Sequence, residues 1–199
     1  MRSTGAIVIL VLVLLVGFAG CTGCGTYNSL VTADTAVEQE WGNLEAAYQR
    51  RADLIPNLVA TVQGAADFEQ ETLTAVTEAR TRAANITLDG ADLDDPARVQ
   101  EFLQAQGALN AATGSLINLV REDYPELRAT ASFLKFQDDL AGTENRINTQ
   151  RRDYNAAVAE YNNSVRSFPT NIVAGLTGFD RKVPFEAEAG AEDAPEVSF

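Results

Sequence analysis

Histidine is absent from this chain of 199 residues, and cysteine and lysine occur only twice each. With no imidazole and only the two cysteines Cys21 and Cys24, no metal or redox reading is expected. There is no glycine-rich phosphate loop and no nucleophile elbow, so hydrolase and nucleotide-binding classes have no foothold and no cofactor is implied. Positive charge is also scarce. Against 28 acids stand 15 basic residues, of which only Lys135 and Lys182 are lysines, for a net charge of −13. A nucleic-acid partner needs a basic stripe that releases counterions from phosphates, and a grip on anionic lipid needs a polybasic segment. Neither is present, and the domain is expected to stand off a membrane surface rather than lie on it.

The N-terminus lacks charge almost entirely. After Arg2 an apolar run covers residues 5–20, and no acid occurs before Asp34. The run reads as a signal peptide or as a short membrane span, since about 20 apolar residues cross a bilayer. It ends in Phe18-Ala19-Gly20-Cys21, which resembles the lipobox of prokaryotic lipoproteins and makes Cys21 the candidate lipid attachment site. The alternative is an uncleaved anchor helix over residues 6–18 with Cys21 and Cys24 as incidental thiols. After cleavage at Cys21, Cys24 would be a free thiol close to the lipid, either a second acylation site or without a role. Either way the positive-inside rule puts the rest of the chain outside, because the next basic residue after Arg2 is Arg50.

Beyond the anchor, the apolar periodicity is helical. Val37, Trp41, Leu44 and Tyr48 step by four, three and four, and Ile55, Leu58, Val59 and Val62 continue the stripe. Pro56 predicts a kink or break near Leu54, with Asp53 as the cap of a second piece. Phe68, Leu73 and Val76 carry the pattern to Ala79, and residues 85–90 read as an exit loop. Asp92-Leu93-Asp94-Asp95-Pro96 predicts a helix start, followed by a helix to about Arg121 in which Gly107 and Gly114 are expected to admit a close neighbour. Tyr124-Pro125 separates it from a last helix whose residues Ile147, Tyr154, Tyr161 and Phe168 recur every seven positions, a supercoil seam. The predicted architecture is all-α: an antiparallel up-and-down bundle of four long helices, or three with a kinked first. The domain limits are 1–20 for the signal peptide or anchor, 21–26 for a linker, 27–174 for the bundle and 175–199 for an acidic, mostly mobile tail.

Two polar groups stand out. Arg50 and Arg51 beside the expected kink are the candidate anion or partner site, and the competing reading makes Arg51, Asp53 and Asn57 a structural set that satisfies the broken backbone. Asn148, Asn155 and Asn162, spaced by seven beside the aromatic seam, are read as a polar ladder that fixes helix register. Carboxylate pairs such as Asp94 with Asp95 or Asp138 with Asp139 are expected as solvated faces.

The blocks Tyr27-Asn28-Ser29-Leu30-Val31, Tyr48-Gln49-Arg50-Arg51-Ala52-Asp53-Leu54-Ile55-Pro56-Asn57-Leu58-Val59 with Trp41 before it, and Thr77-Glu78-Ala79-Arg80 resemble those of the LemA family of envelope proteins. So do Asn145-Arg146-Ile147, Asp153-Tyr154-Asn155, Tyr161-Asn162, Phe168-Pro169 and Asn171-Ile172. The resemblance implies a helical bundle tethered to the membrane, and it supplies no catalytic residues. The expected function is non-enzymatic, through protein–protein contacts in envelope organisation or stress response. The alternative is an accessory factor or adaptor of a membrane metalloprotease that uses the acidic tail or Val197-Ser198-Phe199. The sequence leaves the oligomeric state open.

Overall fold

The computed structural model describes residues 2–64 and 68–185, with side chains from Cys24 onward. The side chain of Cys21 and the tail from residue 186, including Val197-Ser198-Phe199, lie outside the described residues. Among the described residues the chain is all-helical, with six packed α-helices and no strand: α1 (Arg2–Gln63), α2 (Gln70–Asn85), α3 (Pro96–Asp123), α4 (Pro125–Arg128), α5 (Ala131–Arg166) and α6 (Thr170–Thr177). Among residues with described side chains, no helix is long and apolar enough to cross a membrane. The apolar run of residues 5–20 precedes them.

α1 is 62 residues long and does not break at Pro56. Proline removes the N–H that would bond the carbonyl four residues back, which here belongs to Ala52. That carbonyl accepts instead from Arg80 Nε of α2 at 2.9 Å. A charged donor from a neighbouring helix thus replaces the missing backbone bond, and the helix continues to Gln63. The first long helix ends at Gly64, where helix propensity drops by about 1 kcal/mol relative to alanine.

The remaining boundaries follow local chemistry. Asp95 caps α3 by accepting from Ala97 N at 2.8 Å, with Pro96 in the first turn. Thr130 caps α5 by accepting from Phe133 N. Gly107 and Gly114 face open space, so they admit no close neighbour, contrary to the sequence expectation. The seven-residue seam of α5 is buried at Ile147, Tyr154 and Tyr161 but ends there, because Phe168 is 81% exposed.

Two apolar clusters form the core. One gathers Val37, Trp41 and Leu44 of α1 with Phe102 of α3 and Tyr154 and Tyr161 of α5. The other gathers Ile55, Leu58 and Val62 of α1 with Leu73 and Val76 of α2, Leu109 and Leu116 of α3, and Phe133 and Phe136 of α5. Partners on α5 descend as α1 ascends: Trp41 meets the Tyr154 ring at 6.1 Å, and Arg51 meets Glu144 at 3.1 Å.

If Arg80 replaces the bond that Pro56 cannot make, Arg80→Ala costs about 1.5–3 kcal/mol, the usual range for a hydrogen bond from a charged donor. In a Pro56→Ala background, where the Ala52 carbonyl regains an N–H, the same change costs markedly less. Chemical denaturation of the four chains of this double-mutant cycle reads the coupling; equal costs in both backgrounds would contradict it.

Candidate functional site

Neighbouring positions on a helix point about 100° apart, and the two arginines part accordingly. Arg50 is exposed beside a shallow hollow that it shares with Asp138, Asp139 and Arg146. Arg51 is 4% exposed and points inward between the two apolar clusters. Its Nη2 donates to the Gln106 side-chain oxygen at 2.7 Å and to the Gln106 main-chain carbonyl at 3.1 Å. Its Nη1 pairs with Glu144, and its guanidinium lies 5.2 Å from the Tyr48 ring centre. The two arginines therefore do not converge on one anion. Asp53 is exposed and accepts from Gln49 at 3.1 Å. Asn57 is exposed, and its carbonyl accepts the Thr61 hydroxyl. Neither reaches the Ala52 carbonyl, which Arg80 serves instead.

The asparagines show a different pairing from the expected helix-to-helix ladder. Past α6 the chain turns at Gly178, whose φ of 78° suits glycine. Residues 179–185 then lie against α5, where the sequence placed them in a mobile tail. Asn155 donates to the Phe185 carbonyl at 2.8 Å and accepts the Phe185 N–H at 2.8 Å. Asn162 does the same with Lys182, at 2.8 Å and 3.0 Å. Seven helical residues advance about 10.5 Å, and three extended residues advance about 10 Å. A heptad of asparagines on a helix therefore matches every third peptide of an extended chain. Tyr161 and Tyr154 alternate with them, donating to the Asp180 carbonyl at 2.7 Å and the Val183 carbonyl at 3.1 Å. Burial pushes both phenols well above the ordinary tyrosine range, so they remain donors. Asn148, the third asparagine, is exposed at the rim of a groove of about 590 Å³ that begins at Phe185 and is also lined by Arg151 and Arg152.

The docked segment carries two residues into the interior. Phe185 stacks on Trp41 with ring centres 5.6 Å apart and meets Tyr154 at 4.8 Å. Lys182, 6% exposed, places Nζ 3.1 Å from Asp34, 3.3 Å from Asp94 and 3.3 Å from the Gly90 carbonyl. Burial raises the Asp94 carboxyl above its ordinary value, with the Lys182 charge opposing it. The sequence did carry signals for this segment: Lys182 is one of only two lysines, and Pro184 biases Val183 to extended backbone. Among the described residues no group of acids and thiols could hold a metal ion, and Cys24 is a free, exposed thiol.

Two outcomes follow. Asn155→Ala removes both bonds to Phe185 and costs about 1–3 kcal/mol at about 0.5–1.5 kcal/mol per bond. It also alters the emission of Trp41, against which Phe185 stacks; unchanged emission and stability would show that the bonds do not hold the segment. Arg51→Ala leaves Glu144 half-buried without its partner and costs about 3–5 kcal/mol, whereas Arg50→Ala stays within about 0.5 kcal/mol. Thermal melts of the two variants distinguish them, and equal costs would overturn the assignment.

The sequence model of the LemA family matches residues 40–199. The chain is 29% identical over 188 positions to magnetosome protein MamQ 2 of Paramagnetospirillum magneticum, an alignment covering 86% of this chain and 68% of that one. It is 28% identical over 166 positions to protein LemA of Metamycoplasma hominis, covering 83% and 71% respectively. To magnetosome protein MamQ of Magnetospirillum gryphiswaldense it is 27% identical, with coverage of 86% and 68%.

Proposed function

The chain belongs to the LemA family, and from that premise we propose that it is a non-enzymatic membrane-anchored protein. It holds an antiparallel up-and-down bundle on the extracytoplasmic side and acts through protein–protein contacts in envelope organisation or stress response. The observation that carries this reading is the engagement of the buried charges. Arg51 is taken by Gln106 and Glu144, and Lys182 by Asp34, Asp94 and the Gly90 carbonyl. Asn155 and Asn162 bond backbone. Groups that in an enzyme would face a substrate here hold one part of the chain to another.

The descending register of α5 along α1 supports the antiparallel arrangement. The apolar run after Arg2 supports the anchor, held either by lipid on Cys21 or by the uncleaved segment. The word magnetosome in the names of relatives supports a membrane setting.

The test is a deletion strain. Loss of the protein is expected to change envelope morphology or stress tolerance, and the full chain restores it, as does an Arg50→Gln chain. A deletion strain with intact morphology and unchanged tolerance contradicts the proposal. The protease-adaptor alternative requires that the anchored protein co-purify with a membrane metalloprotease and lose it when the tail is cut. That cut belongs after Phe185, because a cut after Gly175 would also strip Lys182 and Phe185 from the core and confuse misfolding with loss of contact.

A further inference from the structure

In a chain of net charge −13, residues 3–33 carry no charge, and neither do residues 167–179. The fold brings these two stretches to the same end of the bundle. Tyr154 stands beside Trp41 and Glu144 beside Arg51, so α5 reaches its end at Arg166 about level with Ser29 of α1. The chain then turns into α6, and the Phe179 ring that follows α6 meets Tyr27 edge-on at 5.7 Å.

At this end the apolar side chains point outward. Phe168 and Leu176 are 81% and 82% exposed and Ile172 is 54% exposed. Ile172 and Leu176, four apart in α6, share one face, and Phe168 lies in the turn just before that helix. Tyr27 and Val31 of α1 are exposed as well. Elsewhere in the described bundle Leu134 is the only other large apolar side chain as open to solvent, and it lies near the opposite end of α5. The charged residues that flank this end are Arg166 at the end of α5 and Asp180 and Arg181 just past Phe179, all exposed; Asp34 and Asp94 share the Lys182 ammonium.

We propose that this end of the bundle, the exposed Ile172 and Leu176 of α6 with Phe168 in the turn before it and Tyr27 and Val31 of α1, is seated in the interfacial layer of a lipid bilayer. The inference rests on the anchored reading above and adds to it a specific surface of the bundle. α1 is one helix from Arg2 to Gln63, so Tyr27 stands only about 10 Å along the axis from Gly20, the last residue of the apolar run. That distance is comparable to the headgroup layer, where tyrosine and other amphipathic aromatics collect. A helix with an apolar face buried to about 5–10 Å is the usual form of interfacial contact. Asp34 lies about 21 Å from Gly20 on the same scale, so the net negative charge of the protein begins beyond this layer. The sequence-level expectation that the domain stands off the surface takes the charge as evenly spread, which it is not.

The experiment uses the full chain reconstituted in phosphatidylcholine vesicles, with and without bromine on the acyl chains. Trp41 is the only native tryptophan and is buried about 31 Å from Gly20 along α1, so it serves as an internal reference that bromine does not quench. Phe168→Trp and Leu176→Trp each add an emission that should shift to the blue in vesicles and lose about half its intensity to brominated chains, as expected for indole at the interface. Leu134→Trp should lose none. Ile172→Trp tests the same end where either of the first two variants fails to reproduce the wild-type circular dichroism. Protein that co-floats with vesicles but whose new tryptophans behave like Leu134→Trp overturns the proposal and leaves the anchor standing. Failure to co-float overturns both. New tryptophans that bromine does not quench but that are shielded from aqueous iodide indicate a protein on this face, a second copy included, and also overturn it.

Discussion

The paired amide bonds from Asn155 and Asn162 to the chain past α6 are the interaction on which the rest of the upper bundle depends. A carboxamide offers one donor edge and one acceptor, as a peptide does, and on α5 each asparagine engages both the N–H and the C=O of a single residue. The match between a helical heptad and three extended residues lets two such contacts form without strain in either backbone. With Lys182 and Phe185 held, Lys182 enters among Asp34, Asp94 and Gly90, and Phe185 closes the ring cluster of Trp41, Phe102 and Tyr154. Without them, the half-buried Asp34 and Asp94 would lose the cation they share, and Trp41 would lose its stacking partner.

The lower bundle is organised around backbone supply. A proline in the middle of a helix normally ends or bends it because a carbonyl goes unbonded. Here the arginine of a different helix takes that carbonyl, so the position of α2 beside α1 and the continuity of α1 are two aspects of one contact. Arg51, lying between the two apolar clusters with its partners on α3 and α5, adds a layer that a slipped register would leave unpaired. Buried polar layers of this kind fix alignment in coiled coils at some cost in stability.

Much of the helical architecture is legible in the sequence because period and punctuation agree. The α3 start at Asp95-Pro96 and the separation at Tyr124-Pro125 fall where capping chemistry puts them, and the stripe from Val37 to Val62 is buried nearly throughout. The break that Pro56 allows does not occur, and local rules do not foresee this because Arg80 sits in another helix. The docked segment is hidden for a similar reason. Its composition differs from the acidic stretch that follows, with two bases and two phenylalanines against one acid, but its partners lie 20 to 30 positions earlier and no local rule links them. The asparagine heptad is visible as a pattern, but the sequence does not say whether it faces a helix or an extended chain. Phe168 extends the heptad on paper, yet α5 has ended by that point.

These elements give the molecule two different ends. The far end, at the α3–α4–α5 turns, is closed by caps and the second apolar cluster. The end nearest the apolar run has exposed rings and aliphatic side chains and few charges, and the C-terminal segment leaves it from α6 to run back along α5. The paired-amide contact is most directly tested by residue-resolved hydrogen exchange over residues 179–185 of the folded chain. The N–H groups of Lys182 and Phe185, bonded to Asn162 and Asn155, and that of Val183, bonded to the Leu93 carbonyl at 2.9 Å, should exchange at rates approaching those of the α5 interior, while Arg181, which is exposed, exchanges fast. Uniformly fast exchange across the segment would contradict the account, because it would leave Lys182 and Phe185 with nothing to hold them in the core.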